Sequence, residues 1–295
     1  MNTFSRNKLI INLIFMKNID NQITFLIVTY KSEHIIEKCL NSLPRQSKKI
    51  IVENSRDNNF IKNLRSKYKN IKFVKPRKNL GYGKGNNLAL EITKTHFAYI
   101  INPDVELRKN SFLQMKKAIK NLNGNFAILA PNTNYNIKKN GQIKKNIEKV
   151  EQVLGSAMLL NLKNYKKYLY FDENIFLFME EVDLCKRVNT SLGKIYKVNK
   201  SHIYHQGKQS TNYSNRVELL RNWHYMWSYF YYNKKHTNFL LAFIKSLKFI
   251  LRHSGDLFLS ILILNKKKFI MSYYRISGIF NSIFGRRSHL RLEDI

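Results

Sequence analysis

Four stretches of the 295-residue sequence carry side chains that can do chemistry. In AYIINPDVEL (98–107) an apolar run breaks into Asn102, Pro103 and Asp104. A divalent cation on a diphosphate takes only one or two protein carboxylates, with phosphates and waters filling the other positions, so one well-placed Asp suffices. An Asp just past a Pro is also a common turn former or helix cap. FMEEVDLC sets Glu180, Glu181 and Asp183 at the start of a helical pattern. Acids there complement the helix dipole, and one that faces a cleft can act as a general base. Asp183 and Lys186 also have the i, i+3 spacing of an ordinary ion pair. SHIYHQGKQS holds His202 and His205. Neutral imidazole is a common metal ligand, a lone His is more often structural, and no zinc spacing accompanies this pair. NLGYGKGNN (79–87) has glycines ahead of a helix, with Lys84 among them. That lets backbone N–H groups approach a phosphate, although the spacing fits neither a P-loop nor the dinucleotide fingerprint.

Such groups need elements that bring them to one edge, and up to about residue 131 the pattern is a βαβ series. ITFLIVTY (23–30) reads as a buried strand, EHIIEKCLNSL (33–43) as an amphipathic helix and KKIIVEN (48–54) as a second strand. A polar helix through Leu64, the strand IKFV (71–74), a helix over 83–93, the strand FAYIIN (97–102), a Lys-rich helix and the strand FAILAP (126–131) follow. Ile- and Val-rich strands separated by helices predict an α/β fold with a mostly parallel sheet covered on both faces. In such sheets ligands gather at the carboxyl ends of the strands, and Asp104 lies at one of them. Pro76, Pro103 and Pro131 each follow directly on a strand, where a missing N–H does no harm. Residues 132–150 are polar, Lys-rich and aperiodic, which predicts a loop. Beyond them 153–162 is strand-like, 176–188 helical and 194–198 a strand, and the chain is helical from Tyr213. The organisation expected is an N-terminal extension over 1–21, an α/β domain over 22–212 and a helical region over 213–295.

With 52 basic against 19 acidic residues the formal charge is +33, and hydrophobic and aromatic fractions of 44% and 13% are those of a packed protein, which excludes disorder. The charge points to anionic partners: nucleic acid, an anionic membrane face or phosphate-bearing small molecules. A Lys-, Asn- and Ile-heavy composition throughout the chain is the competing explanation. Cys39 and Cys185 each sit in an apolar helical pattern, so neither a disulfide framework nor a thiolate cluster is available and a reducing compartment fits. The start, MNTFSRNKLIINLIFMKNID, has basic residues before an apolar run too short to span a bilayer and no small-residue cleavage site. The expectation is a cytoplasmic protein, with Met16 as an alternative start.

Taken in order, FLIVTYKSE, IIVENSRD, NLGYGKGNN, YIINPDVEL, GSAMLL, FDENIFLFMEEVDLCKRV and YHQGKQST resemble the family 2 glycosyltransferases with a GT-A fold. Within them the likeness is to rhamnosyltransferase-like members, over roughly residues 22–210. The resemblance implies a mostly parallel central sheet flanked by helices, the 22–212 span as catalytic domain and a C-terminal helical extension. It implies that Thr29, Tyr30 and Glu53 line the nucleoside site, completed by Asn79, Gly81 and Lys84. Asn102 and Asp104 fall in the place of the metal-binding acidic triplet. Asp104 matches its last carboxylate and His205 the late histidine that completes the shell of a Mg²⁺ or Mn²⁺. Glu181 matches the acid that serves as general base, one methylene longer than the Asp usual there, and the triplet holds a single acid. The implied activity is inverting transfer of a sugar, rhamnose favoured, from a nucleotide diphosphate (dTDP-rhamnose or a UDP-sugar) to a hydroxyl of a cell-surface glycan or lipid-linked saccharide.

From Arg216 onward the chain turns aromatic and basic. Lys245, Lys248 and Arg252 form one basic stripe at helical spacing, and Ile276, Ile279, Phe280 and Ile283 an apolar one. The longest apolar run, LFLSILIL (257–264), is far short of the ~18 residues of a spanning helix. One reading is a helical subdomain packed on the catalytic core. The other is peripheral attachment to the anionic inner face of the cell membrane, where a lipid-linked acceptor would reside. A nucleic-acid binder and a sugar-phosphate nucleotidyltransferase rank lower. The basic residues are scattered outside any known binding module, so no nucleic-acid partner is expected, and the first strand is followed by TYKSEH instead of a Gly-rich loop.

Overall fold

The computed structural model describes residues 19–133, 145–165, 170–207, 210–211, 214–292 and 295. They form nine strands, eight α-helices and two compact units. Unit 1 comprises Met1–Leu80, Gly85–Tyr170 and Leu184–Asn212. Unit 2 comprises Gly81–Lys84, Phe171–Asp183 and Tyr213–Ile295, so two short interior stretches of the expected catalytic span group with the C-terminal helices. The expected N-terminal extension lies, through residue 18 and including Met16, outside the described residues. Ile19–Gln22 is a 3₁₀ turn whose Ile19 is buried.

In chain order the α/β part runs β1 (Ile23–Thr29), α1 (Ile36–Ser42), β2 (Lys48–Glu53), α2 (Asn58–Lys67), β3 (Ile71–Val74), α3 (Gly81–Glu91), β4 (Phe97–Ile101) and β5 (Val105–Leu107). It continues with α4 (Ser111–Asn121), β6 (Ile128–Thr133), β7 (Ile147–Val150), β8 (Ala157–Asn161), α5 (Glu180–Ser191) and β9 (Ile195–His205). The strands make one sheet in the order β3-β2-β1-β4-β8-β6-β9-β5, with β7 also paired to β9. β3-β2-β1-β4 is parallel throughout, as is β6 with β9. β8 runs antiparallel to both β4 and β6, and β5 and β7 run antiparallel to β9. β4 is apolar along its whole length, β1 is apolar except for Thr24 and Thr29, and both are almost entirely buried, as strands covered on both faces must be. Their side chains anchor the core: Phe25 stacks on Tyr99 at 5.3 Å and Phe97 on Phe126 at 5.8 Å between centroids.

Three local expectations change. The stretch 132–150 is only partly loop: Asn132 and Thr133 extend β6, Ile147–Val150 forms β7, and 134–144 lie outside the described residues. Pro131 stands inside β6, at a register shift between Pro131 and Asn132, not after it. A bulge is where a strand tolerates a residue that cannot donate to the ladder. The 194–198 strand runs on to His205 because β5, β6 and β7 supply partners that its polar sequence does not announce.

Unit 2 is dominated by α6 (Asn215–His236), α7 (Phe239–Leu262) and α8 (Lys266–Ile283). Each starts on a side-chain cap: Ser214 Oγ accepts from the Val217 N–H, Asn238 Oδ1 from Leu241 and Asn265 Oδ1 from Lys268. α8 crosses α6 so closely that a Cβ on Gly278 would stand 2.3 Å from the Trp223 carbonyl oxygen, and only glycine fits there. Met226, Phe230, Ala242 and Ile279 form a core against which Phe280 and Ile283 pack. The apolar stripe read from the sequence of α8 therefore faces its sister helices.

Candidate functional site

The parallel half of the sheet sets its polar residues at the carboxyl ends. Thr29 and Glu53 are the last register pair of β1 and β2. Thr29 Oγ1 donates to one Glu53 carboxylate oxygen at 2.5 Å and the Ser55 N–H to the other at 2.6 Å. Burial pushes the Glu53 pKa up, and the Ser55 and Thr29 hydrogen bonds offset this only in part. Asn54 ties the same edge together: its N–H bonds the Thr29 carbonyl at 2.9 Å, and its Oδ1 accepts from the Leu80 N–H at 3.2 Å, next to Asn79. Tyr30 is half-buried, with its N–H on Ser32 Oγ at 3.2 Å, and Lys31 follows in the left-handed region at φ 52°. Thr29, Tyr30, Glu53 and Asn79 thus share one neighbourhood.

β4 ends at Ile101, and the Asn102 N–H then bonds the Ser156 carbonyl at 2.9 Å. Asp104 is only 2% exposed, and its carboxylate oxygens have no close hydrogen-bond donor. The His205 imidazole stands beside it, with Nε2 3.5 Å from Oδ1. This pairing comes from the sheet, because β5 and β9 place Val105 opposite His205 and the Gln206 N–H returns to the Asp104 carbonyl at 3.2 Å. Burial works to raise the Asp104 pKa, but His205 and Ser210 outweigh it and the net direction is down. A buried carboxylate beside an imidazole, with no close donor on its oxygens, is a donor set that fits a hard divalent cation. Asn102 Oδ1, also buried and unpartnered, adds a neutral oxygen. His202 stays out of this set: it lies three residues from His205, on the opposite face of a strand with period two. Among the described residues no group of three or more His, Cys, Asp or Glu side chains stands at metal distance, so the shell from the chain is sparse.

Unit 2 holds the other predicted residues, Gly81, Lys84 and Glu181. Gly81 has φ +76°, and a Cβ there would come 2.2 Å from the Phe176 carbonyl oxygen, which also receives the Tyr82 N–H at 3.2 Å. Lys84 makes an ion pair with Glu173 at 2.5 Å. Before α5, Phe178 and Met179 have φ of 67° and 66°. Two consecutive non-glycine residues in this region are costly and persist only where surroundings impose them. Here Ser228 Oγ donates to the Leu177 carbonyl at 2.9 Å, Tyr225 meets Phe178 edge-on, and Arg221 lies over its ring. The strain delivers Glu180 and Glu181 to the first turn of α5. Glu180 is buried, and burial together with the neighbouring Glu181 carboxylate raises its pKa from 4.5 to about 8. Burial raises that of Glu181 as well, while N–H groups of the first turn pull it back. Asp183 is paired with the Lys235 ammonium at 2.7 Å and His236 Nε2 at 2.8 Å, not with Lys186. Lys235 also reaches Asp172 at 2.6 Å.

The Glycosyl transferase family 2 model matches residues 24–183, more than half of the chain. The chain belongs to glycosyl transferase family 2. This family 2 glycosyltransferase is 22% identical over 212 residues to the low-salt glycan biosynthesis hexosyltransferase Agl10 of Haloferax volcanii, covering 62% of this chain and 67% of the relative. It is 24% identical over 216 residues to the rhamnosyltransferase WbbL of Escherichia coli K12, covering 61% and 81%. Among solved structures it resembles the mannosyltransferase PcManGT from Pyrobaculum calidifontis, in complex with GDP-Man and Mn²⁺, with TM-score 0.56, 11% identity and coverage of 90% and 88%. S. aureus TarS 1–349 in complex with UDP-GlcNAc gives TM-score 0.52, 16% identity and coverage of 90% and 92%. The fold of this transferase is of the GT-A type: a central sheet with a wholly parallel N-terminal half, flanked by helices and followed by C-terminal helices.

Sequence reasoning missed a cavity of roughly 230 Å³ in unit 1, lined by Pro131, Thr133, Gln152, Ser156, Lys197 and Ile203. Thr133 Oγ1 and Ser156 Oγ are buried without partners. The small residues of GSAMLL were the available signal. Lys235 and His236 were also missed, because nothing local ties them to an acid more than fifty positions upstream.

The Glu180 pKa gives this glycosyltransferase a signature in pH. Below about pH 4 folded and unfolded states both hold the proton, and nothing is lost. Between there and pH 8 the unfolded chain releases a proton that native Glu180 retains, so stability falls as pH rises and levels off above about 8. The decline expected is a few kcal/mol. Glu180→Gln removes the Glu180 share of it, so urea midpoints for variant and wild type converge at low pH and separate, with the variant ahead, toward pH 8. Parallel curves would place the Glu180 pKa in the ordinary range.

Proposed function

We propose that this enzyme moves a sugar from a nucleotide diphosphate donor to a hydroxyl of a cell-surface glycan or lipid-linked saccharide precursor, inverting the anomeric centre. The carrying observation is Asp104, buried just past the end of β4 with His205 Nε2 at 3.5 Å. By the family resemblance Thr29, Tyr30 and Glu53 line the nucleoside site, which Asn79, Gly81 and Lys84 complete. Asp104 and His205 would hold a Mg²⁺ or Mn²⁺, with Asn102 beside them. When bound, the cation supplies charge neutralisation at the leaving diphosphate. Glu181 accepts the proton of the acceptor hydroxyl as its oxygen bonds to the anomeric carbon in line with the departing phosphate oxygen. The bond to that phosphate breaks, and its electron pair leaves on the nucleoside diphosphate.

Rhamnose is the favoured sugar, supported by the similarity to WbbL, a rhamnosyltransferase; dTDP is the favoured carrier and a UDP-sugar the alternative. Thermal unfolding with a panel of nucleoside diphosphates, with and without Mn²⁺, tests the donor. Metal-dependent stabilisation by dTDP or UDP is expected, about 2.7 kcal/mol at a hundredfold excess over Kd. A flat response to every nucleotide would overturn the reading.

A further inference from the structure

One helix of unit 2 carries most of the exposed apolar surface. Of the eighteen large hydrophobic side chains exposed among the described residues, twelve lie within 239–264, on α7 and the turn behind it. The side of α7 that faces inward carries buried Ala242, Ser246, His253 and Ser260, with Phe243, Phe249 and Ile250 packed on the helical core. Leu240, Ile244, Leu247, Leu251, Phe258 and Leu262 recur at intervals of four, three, four, seven and four, which puts them on one narrow stripe, and each is 40–65% exposed. At 1.5 Å per residue the stripe is about 33 Å long.

The flank of this stripe is basic. Lys248 and Arg252 are exposed beside it, and the turn into α8 adds Leu264, 90% exposed, next to the exposed Lys266 and Lys267. The acid in this segment, Asp256, is taken up by Lys268 at 3.0 Å and His253 at 3.6 Å. Among the described residues no helix is long and apolar enough to cross a membrane. A long apolar stripe edged by cations on a non-spanning helix has the chemistry of an element that lies in the plane of a bilayer surface, apolar side down and basic side among anionic headgroups.

We propose that α7 docks this glycosyltransferase on an anionic lipid bilayer, with Leu240, Ile244, Leu247, Leu251, Phe258 and Leu262 entering the interface and Lys248, Arg252, Lys266 and Lys267 meeting lipid phosphates. None of these residues takes part in the donor chemistry, so this inference holds or fails independently of the nucleotide assignment. It is tested with the full chain and phosphatidylcholine vesicles prepared with or without phosphatidylglycerol, separated by flotation. Expected is co-flotation with the anionic vesicles, weakened by high salt, and little with pure phosphatidylcholine. Leu251→Glu and Phe258→Glu change exposed side chains outside the core, so melting curves should stay unchanged while the partition coefficient falls about tenfold per side chain. Lys248→Glu with Arg252→Glu should abolish the preference for phosphatidylglycerol. The proposal is overturned if the full chain stays with the soluble fraction at low salt, or if it floats equally well with Leu251→Glu and Phe258→Glu. It is also overturned if light scattering shows a dimer that these two substitutions dissociate while vesicles bind neither form, since the stripe is then an interface between copies of the chain.

Discussion

Replacing Asp104 by Asn lowers sugar transfer by about two to three orders of magnitude, with the fold retained. The size follows from the charge that must be met: neutralising a leaving diphosphate is worth several kcal/mol, and each 1.36 kcal/mol is about tenfold in rate. The substitution is nearly isosteric, so the buried pocket at the end of β4 keeps its packing. What disappears is the negative charge, and an amide in its place presents N–H groups toward His205 where a carboxylate stood. The same variant should lose the metal-dependent part of its stabilisation by a nucleoside diphosphate. Kinetics and thermal shift must therefore fail together. An Asp104→Asn enzyme that turns over within tenfold of wild type removes Asp104 from the donor site.

Glu181→Gln separates binding from chemistry. Donor affinity, read by calorimetry, should be unchanged, whereas turnover falls by about 10²–10⁴-fold, the usual contribution of a positioned general base. The wild-type pH profile follows from the direction of the Glu181 shift. Burial raises its pKa, and a base must be ionised, so kcat/KM should climb with pH through a value above the ordinary carboxylate range and then level off. That limb should be absent from whatever activity Glu181→Gln retains. Glu181→Asp restores the family's usual side chain, so its turnover should exceed that of Glu181→Gln. Equal donor affinity and equal turnover in Glu181→Gln and wild type would assign the base elsewhere.

Much of the fold was legible because parallel, doubly covered strands carry an apolar run through their middle. β1, β2 and β4 were found within one or two residues for that reason. β5 and β7 were not, since three or four residues that are half polar carry no periodicity above noise, and they exist only because β9 offers them a partner. The helix expected from 176 begins at Glu180, because Phe178 and Met179 are held in left-handed geometry by α6 side chains that no local rule foresees.

The same division runs through the site and the surface. The sequence alone determined the residue types: an Asp behind an apolar strand, paired glutamates opening a helix, a late histidine, and the ordered segments that mark the family. These are local facts, set by neighbours along the chain. Tertiary structure decided which of them meet. The β5–β9 register brings His205 within 3.5 Å of an acid 101 positions upstream, Lys235 and His236 claim Asp183, and Glu173 claims Lys84. It also decided which apolar stripe is core and which is surface. α7 and α8 both read as amphipathic, but the close approach at Gly278 turns the apolar face of α8 onto α6, while α7 leaves Leu240 through Leu262 facing outward. Periodicity identifies the two faces of a helix, and only packing against other elements tells which of them water touches.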